Sequence, residues 1–440
     1  MFVLHDILWL LVLIGVMILI HELGHFWAAR YFDVKVETFS FGFGPRLFGF
    51  RKGETDYRFS AILFGGYVKM AGEQPGDENA ADPRGFLSKP RWQRLIIAFA
   101  GPFMNIVLAV SLLTGVYMVK FQRPAKSEND AVVGHVIPGS PAEKAGVQAG
   151  DRIVRIDGAD TPTWQSIGLK EVSSAAKTLD VTLDRDGKRI ETKVTPVLDD
   201  REGIGTAGWE ERSEIEVGDI SPGMPAQKAG LLRGDLLLSV NGQKINSRYT
   251  LLDVIRKTDG KPVTIEYVRN GVQHSVTMNP VFSKSDGKPR WMIGVGPMQK
   301  INLITTKLSF PDALRESVHQ NLQGATLIFG FLKGMLERRM SAKSLQGPIG
   351  IARLSGEAAR EGPSVFFQLM TMVSLNLAIF NLLPIPILDG GMILLLLVEM
   401  LMGRDLSMNV REAVFKVGFV FLMVVVVFVL YNDITKILPG

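Results

Sequence analysis

The sequence predicts a polytopic α-helical membrane protein with four transmembrane helices, a membrane-associated β-hairpin or small sheet after the first, and two α+β repeats inserted between the second and third spans. Three observations predict it. Hydrophobic residues are 47% of the 440, yet 21% are charged, which fits membrane spans joined to a water-facing portion better than either alone. Four long apolar runs stand at 7–28, 95–119, 365–388 and 414–430, each near the ~20 residues that cross a bilayer. Residues 120–300 between them turn polar and contain a repeat at a constant offset. The formal charge of +5 is small for this length and gives no reason to expect nucleic acid. Cysteine is absent, so disulfides and thiolate metal sites are excluded, and any metal must use histidine and carboxylate ligands.

The first run, Ile7–Ile20, is uncharged and leads directly into His21-Glu22-Leu23-Gly24-His25. Residues four apart share a helix face, so two imidazoles can reach one Zn²⁺ while Glu22 sits beside the open coordination position. No Lys or Arg precedes the run and no small-x-small site follows, which argues for a span rather than a cleaved signal. Ionisable groups at membrane depth cost about 2.5–3.5 kcal/mol each, so function is the default explanation. Residues 30–94 are rich in Lys and Arg. Within them Thr38–Phe43, Leu47–Arg51, Tyr57–Leu63 and Gly66–Met70 read as short strands turned at Gly42, Gly44, Gly53 and Gly65. The second span carries Gly101-Pro102 and Asn105, which point to helix packing or a kink.

In the polar portion, Ser140-Pro141-Ala142-Glu143-Lys144-Ala145-Gly146 matches Met224-Pro225-Ala226-Gln227-Lys228-Ala229-Gly230, with each position 84 residues from its counterpart. Gly150-Asp151 matches Gly234-Asp235, Asp157-Gly158 matches Asn241-Gly242, and Asp186-Gly187 matches Asn270-Gly271 at the same offset. Asp-Gly and Asn-Gly are hairpin turns because these residues accept φ > 0. Pro-Ala-x-x-Ala-Gly followed by Gly-Asp and a hydrophobic strand resembles a bacterial PDZ domain, a module that binds peptides at a sheet edge. An inert spacer pair would show the same pattern.

Residues 311–340 alternate apolar and polar at helical spacing, predicting an amphipathic helix along the membrane surface; a solvated helix docked on a soluble domain fits the pattern too. Ser344–Gly362 is small and glycine-rich. In the third apolar region Pro384 and Pro386 remove backbone donors, so the helix opens there and resumes over Gly391–Met402 as a broken continuation. Asp389 is the only carboxylate between Glu361 and Glu399, and binding a cation removes the cost of its charge. The expected centre is therefore Zn²⁺ held by His21, His25 and Asp389 with an open fourth position. Tyr31 stands where a longer motif would place a third histidine, and Glu37 falls in a strand-like segment after the helix. The positive-inside rule puts the basic 30–94 loop in the cytoplasm and the N-terminus outside. Four spans then put the repeats outside, with His21 and Asp389 near the cytoplasmic face.

With these motifs in hand, the chain resembles the site-2 protease family of intramembrane zinc metalloproteases. The resemblance runs the whole length: the H-E-L-G-H run, F-G-F-G-P (41–45), F-G-G-Y-V-K-M (64–70), A-G-P-F-M-N (100–105), the two PDZ copies, G-P-I-G-I (347–351) and N-L-L-P-I-P-I-L-D-G-G (381–391). It implies one Zn²⁺ on His21, His25 and Asp389, Glu22 as catalytic base, and Asn376 and Asn381 as substrate-positioning residues. It also implies that Gly66, Tyr67, Val68, Lys69 and Met70 pair with an unwound transmembrane substrate. That substrate would be a single-span protein such as an anti-sigma factor, cut second in envelope stress signalling, or a remnant signal peptide. The family's glycine-flanked PDZ loop matches Gly203-Ile204-Gly205 and Gly294-Val295-Gly296, making Ile204 and Val295 the peptide-binding candidates. Met392 departs from the histidine many members carry there, which implies a local effect only. The expected domains are 1–125 with the first two spans, PDZ copies at 126–213 and 214–300, a membrane-surface segment at 301–363, and the last spans at 364–440. The expected location is a bacterial inner membrane, with the PDZ copies periplasmic and the lipid bilayer itself a partner. Two other classes compete. A metal transporter would also place His and Asp in spans but leaves the PDZ copies unexplained. A non-catalytic PDZ scaffold leaves Glu22 and Asp389 without a reason to lie at membrane depth.

Overall fold

Residues 2–73, 82–124, 131–161, 163–199, 203–283, 289–300, 303–337 and 347–437 are described in the computed structural model. In chain order the helices are α1 (Phe2–Tyr31), α2 (Arg91–Val119), α3 (Pro141–Lys144), α4 (Trp164–Val172), α5 (Pro225–Lys228) and α6 (Arg248–Lys257). Then follow α7 (Phe310–Leu336), α8 (Pro348–Glu361), α9 (Pro363–Leu382), α10 (Asp389–Met402) and α11 (Met408–Ile437). Two long strands, β1 (Val36–Lys52) and β2 (Thr55–Met70), lie between α1 and α2. The chain divides into two units. One gathers α1, β1, β2, α2, the first part of α7 and α8–α11; the other centres on residues 122–305.

Among the described residues of the first unit, four helices are long and apolar enough to cross a membrane: Leu4–Tyr31, Arg91–Val119, Pro363–Leu382 and Asn409–Thr435. The third stops at Leu382, short of the apolar run's end, because the two prolines that follow cannot continue the ladder. Close helix packing rests on small residues. A Cβ on Gly24 of α1 would stand 2.3 Å from the Ala100 carbonyl oxygen of α2. Polar side chains add interhelical bonds: Ser374 Oγ donates to the Asn105 carbonyl at 2.9 Å and Ser317 Oγ to the Val110 carbonyl at 2.8 Å. The Ser317 bond belongs to the helix expected over residues 311–340. Their helix is amphipathic, but its small and polar face, including the buried Ala313, Ser317 and Asn321, is turned to other helices; Ala325 and Ile328 pack on Ala109, Leu375 and Ile379. Positions 338–340 and 344–346 of the predicted segments lie outside the described residues. Asp433 of α11, 4% exposed, caps α8 by accepting from the N–H groups of Gly347, Ile349 and Gly350 at 2.8, 2.9 and 3.2 Å, which satisfies donors a helix start leaves open.

The four short strands predicted for 38–70 are halves of two bent strands. Phe39 pairs with Val68 on one side and Tyr57 on the other, while Phe50 pairs with Tyr57 from beyond. The order is therefore 46–52, 55–60, 36–41, 66–70, with Gly66–Met70 at one edge. Glycine makes the bends possible: Gly49 and Gly65 both take φ of +152°, and a Cβ on Gly49 would meet the Tyr57 carbonyl at 2.2 Å.

Among the described residues, the two larger sheets of the second unit come from the repeated sequence. In one, Ala159–Asp160, Arg152–Ile156, Leu179–Arg185 and Lys188–Val194 are neighbours in that order; in the other, Val272–Met278, Val263–Arg269, Leu236–Val240, Ile215–Ile220 and Val295–Gln299. The matched turns have matched backbones, with Asp157, Asn241, Asp186 and Asn270 all between +49° and +52° in φ, the left-handed pair a tight hairpin needs. Each copy buries an aspartate under an arginine: Arg185 Nε donates to Asp151 Oδ1 at 2.6 Å, Arg269 Nε to Asp235 Oδ1 at 2.7 Å.

Glu171 of the first copy has Ile255 as its counterpart in the second. Glu171 at the end of α4 accepts from the Ala207 N–H at 2.6 Å and the Trp209 indole N–H at 2.9 Å. Burial outweighs these donors and pushes its carboxyl up to about 7. The folded state thus prefers the protonated acid. Its contribution is complete below the ordinary value of 4.5 and is lost as pH rises to about 7, a change of about 3 kcal/mol. Hydrogen exchange in Leu179–Arg185, corrected for intrinsic rate, should accelerate across that window, and Glu171→Gln should flatten the trend. An unaltered trend in the variant would assign it to another group.

Candidate active site

α1 carries His21, Glu22 and His25 on consecutive turns, and both imidazoles are buried, at 7% and 9% exposure. Their Nε2 atoms are 3.2 Å apart. Asp389 completes a triangle, with Oδ2 3.1 Å from His21 Nε2 and Oδ1 3.4 Å from His25 Nε2. A tetrahedron of ligands about 2.0–2.1 Å from a zinc ion has edges of roughly 3.3 Å, so three such separations suit that metal.

Local sequence explains how Asp389 arrives. After α9 ends at Leu382, residues 383–388 leave the helix, and Ile387 takes a φ of +84°, a strained value for a β-branched residue. Asp389 opens α10. The two glycines after it let the chain fold back: a Cβ on Gly390 would stand 2.2 Å from the Leu383 carbonyl, and one on Gly391 2.4 Å from that of Ile385.

Two residues of α2 complete the fit, where the sequence had pointed only to helix packing or a kink. Gly101 faces both imidazoles; a Cβ there would lie 2.3 Å from His25 Nε2 and 2.8 Å from His21 Nε2. The missing side chain is what leaves space at the two Nε2 atoms. Asn105 is fully buried, its amide nitrogen 3.2 Å from His21 Nδ1, while its Oδ1 has no partner among the described residues. A histidine that gives Nε2 to a metal keeps its proton on Nδ1 and needs an acceptor there. Turning the amide by 180°, which exchanges two atoms of nearly equal size, supplies that acceptor and pairs the orphaned oxygen. His25 Nδ1 already lies 2.8 Å from the Ile97 carbonyl. Both imidazoles are thus oriented by α2.

The triad lines a cavity of about 380 Å³ together with Glu22, Tyr67, Val68, Asn381 and Met392. Gly66 allows the edge strand to come this close, since its Cβ would stand 3.2 Å from Glu22 Cγ. The Val68 N–H is directed at the Glu22 carboxylate, and the Met70 N–H bonds Glu73 Oε2 at 3.3 Å. Gly66, Val68 and Met70 therefore turn their donors outward, away from β1, by the alternation of a strand. Lys69 points elsewhere and pairs with Glu37 at 2.8 Å. Asn376 is half-buried and is not among the lining residues. Glu73 was not singled out in the sequence but lines the cavity; burial pushes its carboxyl above the usual range.

Ile204 and Val295 belong to the other unit and are not equivalent to each other. Val295 follows Gly294 and pairs with Ile220, whose counterpart Val136 pairs with Trp209. Gly208, at φ +82°, meets Ser140 as Gly294, at the same φ, meets Met224. The first-copy partner of Gly294-Val295 is therefore Gly208-Trp209, and the match to Gly203-Ile204-Gly205 is corrected.

The regulator of sigma-E protease RseP of Salmonella typhimurium is 30% identical over 459 residues, covering 98% of this chain and all of that one. Its namesake in Escherichia coli K12 is 29% identical over 98% of this chain and 99% of its own length. Protease RseP of Yersinia pestis is 30% identical over 98% and 100%. The model of peptidase family M50 matches residues 9–425, and on that span, with relatives aligned end to end, the chain belongs to peptidase family M50, the site-2 proteases, and is an intramembrane zinc metalloprotease.

Proposed function

We propose that His21, His25 and Asp389 hold one zinc ion and that Glu22 is the base of a peptide hydrolysis carried out at membrane depth. The observation that carries this reading is the convergence of the three donor atoms, all within 4.8 Å of one another, beside a carboxylate and a polar cavity. Bound there, zinc supplies Lewis acidity, which makes water a nucleophile near neutral pH and polarises a carbonyl. Glu22 takes the proton of the attacking water and returns it to the leaving amine. Asn105 and the Ile97 carbonyl keep the two imidazoles in the tautomer that presents Nε2. Burial by α2 and the β2 edge keeps other solvent out.

A transmembrane helix hides its scissile amide inside its own hydrogen bonds, so the substrate has to unwind. The outward donor of Gly66, and those of Val68 and Met70 on exchanging Glu22 and Glu73 for substrate carbonyls, offer it a strand to pair with, and Asn381 offers an amide to freed backbone groups from across the cavity. Val68→Pro removes one outward donor, worth about 1 kcal/mol, and should slow cleavage of a single-span substrate by roughly fivefold or more. Zinc content should stay unchanged. Equal rates in variant and parent would remove the strand from the mechanism.

By likeness to relatives named for sigma-E regulation, the substrate is the membrane-bound remainder of an anti-sigma factor after a first cut, and remnant signal peptides share its chemistry. The enzyme sits in a bacterial inner membrane with its N-terminus and the repeats on the periplasmic side and the zinc site towards the cytoplasm, as the Lys and Arg of 30–94 favour. The repeats, at 126–213 and 214–300, act as PDZ domains that exclude substrates still carrying a bulky outer domain. Purified protein in lipid nanodiscs tests the reading. It should cut a single-span substrate lacking its outer domain, lose that activity to a zinc chelator, and ignore the untrimmed form. Ion flux without cleavage would favour a transporter instead.

A further inference from the structure

The turn Ala207-Gly208-Trp209 is a concave set of N–H groups filled by the chain's own carboxylate. Glu171 reaches it from the last turn of α4, receiving the Ala207 N–H on Oε1 and the Trp209 indole on Oε2, with the Gly208 N–H turned towards it as well. Successive backbone donors of this kind make an anion site. Every other influence on Glu171 disfavours its charge. It is largely buried, the charge of Glu210 is of the same sign, and the C-terminal end of a helix repels an anion. The turn holds Glu171 by its N–H groups alone, and a different carboxylate would satisfy those groups equally.

The second copy lacks the acid. Ile255 stands 84 residues after Glu171, while Ile293, Gly294 and Val295 occupy the places of Ala207, Gly208 and Trp209, as Ala226 N to Ile293 O and Ala142 N to Ala207 O show. Ile255 and Ile293 pack in that copy's core.

We propose that the Ala207–Trp209 turn is a second peptide-binding site for the free α-carboxylate of an extended chain, held shut by Glu171 as an internal stand-in for that group. This rests on reading the repeats as PDZ domains, which capture C-terminal carboxylates in such backbone concavities. An intramolecular ligand competes at an effective concentration in the millimolar range, so the first copy is silent towards weak peptides and opens only when Glu171 is withdrawn.

The test is the stoichiometry of peptide binding to the full chain in nanodiscs, by calorimetry. The probe is the hexapeptide Gly-Ser-Gly-Ala-Val-Leu with a free C-terminus, beside the same peptide as its C-terminal amide. The parent should bind one equivalent of the acid. Glu171→Ala should bind two, with neither protein binding the amide, and Glu171→Ile, which restores the second copy's side chain, guards against a fold lost to the smaller residue. One equivalent in parent and both variants would overturn the internal stand-in and leave the PDZ reading standing. No binding by any form, or equal binding of acid and amide, would overturn both.

Discussion

Glu22→Gln should leave the zinc content of the purified enzyme unchanged and lower its cleavage rate by about 10²–10⁴-fold, the usual worth of a positioned general base. The amide keeps the shape that packs near Gly66 and loses only the capacity to take a proton. Glu22 lies beside the triad without belonging to it, for the donor atoms that converge are those of His21, His25 and Asp389. A rate within a few-fold of the parent would remove Glu22 from the chemistry; loss of zinc along with activity would make it a ligand.

The second large effect separates ligands from the space between them. Asp389→Ala removes one of three donors and should reduce bound zinc from about one per chain to a small fraction, since the remaining imidazoles leave the site half-coordinated. Gly101→Ala keeps every ligand and should lose zinc as well, because its methyl carbon would stand 2.3 Å from His25 Nε2. Gly115→Ala, on the same helix with nothing within 4 Å of the new carbon, is the control and should bind zinc as the parent does. Metal analysis of the three proteins decides the matter. Full occupancy in Gly101→Ala would mean that the imidazoles meet the metal by another face.

Much of this was legible in the sequence because it is written in local periodicity. Four-residue spacing put His21 and His25 on one face, the apolar runs marked the helices, and Asp-Gly and Asn-Gly marked the hairpins. Asp389 could be found by cost, being a lone carboxylate in an apolar stretch. Gly101 and Asn105 could not be linked to the histidines in that way, since only the crossing of α1 and α2 brings them together. The two asparagines of α9 could have been separated beforehand. Five residues apart, they point about 140° from each other around a helix, so one cavity can take only one of them, and it takes Asn381. The neighbours of the helix at 311–340 were not legible because small polar residues serve equally at a water surface and between packed helices. Gly-x-Gly misled in the repeats because spelling is not register: between Pro196 and Ala207 the copies drift by two residues, and the turn that corresponds to Gly294 is found by following the partners of Val136 and Ile220.

The cap that Asp433 places on α8 has a bearing on biogenesis. Three N–H groups at residues 347–350 wait for an acceptor that the ribosome delivers more than eighty residues later, and α8 packs through Ala358 against Leu13 and Met17 of the helix that carries the histidines. A nascent chain that has already threaded Asp389 into place still lacks this tie. The start of α8, and through it the packing on the histidine-bearing helix, is thereby tied to the later arrival of α11.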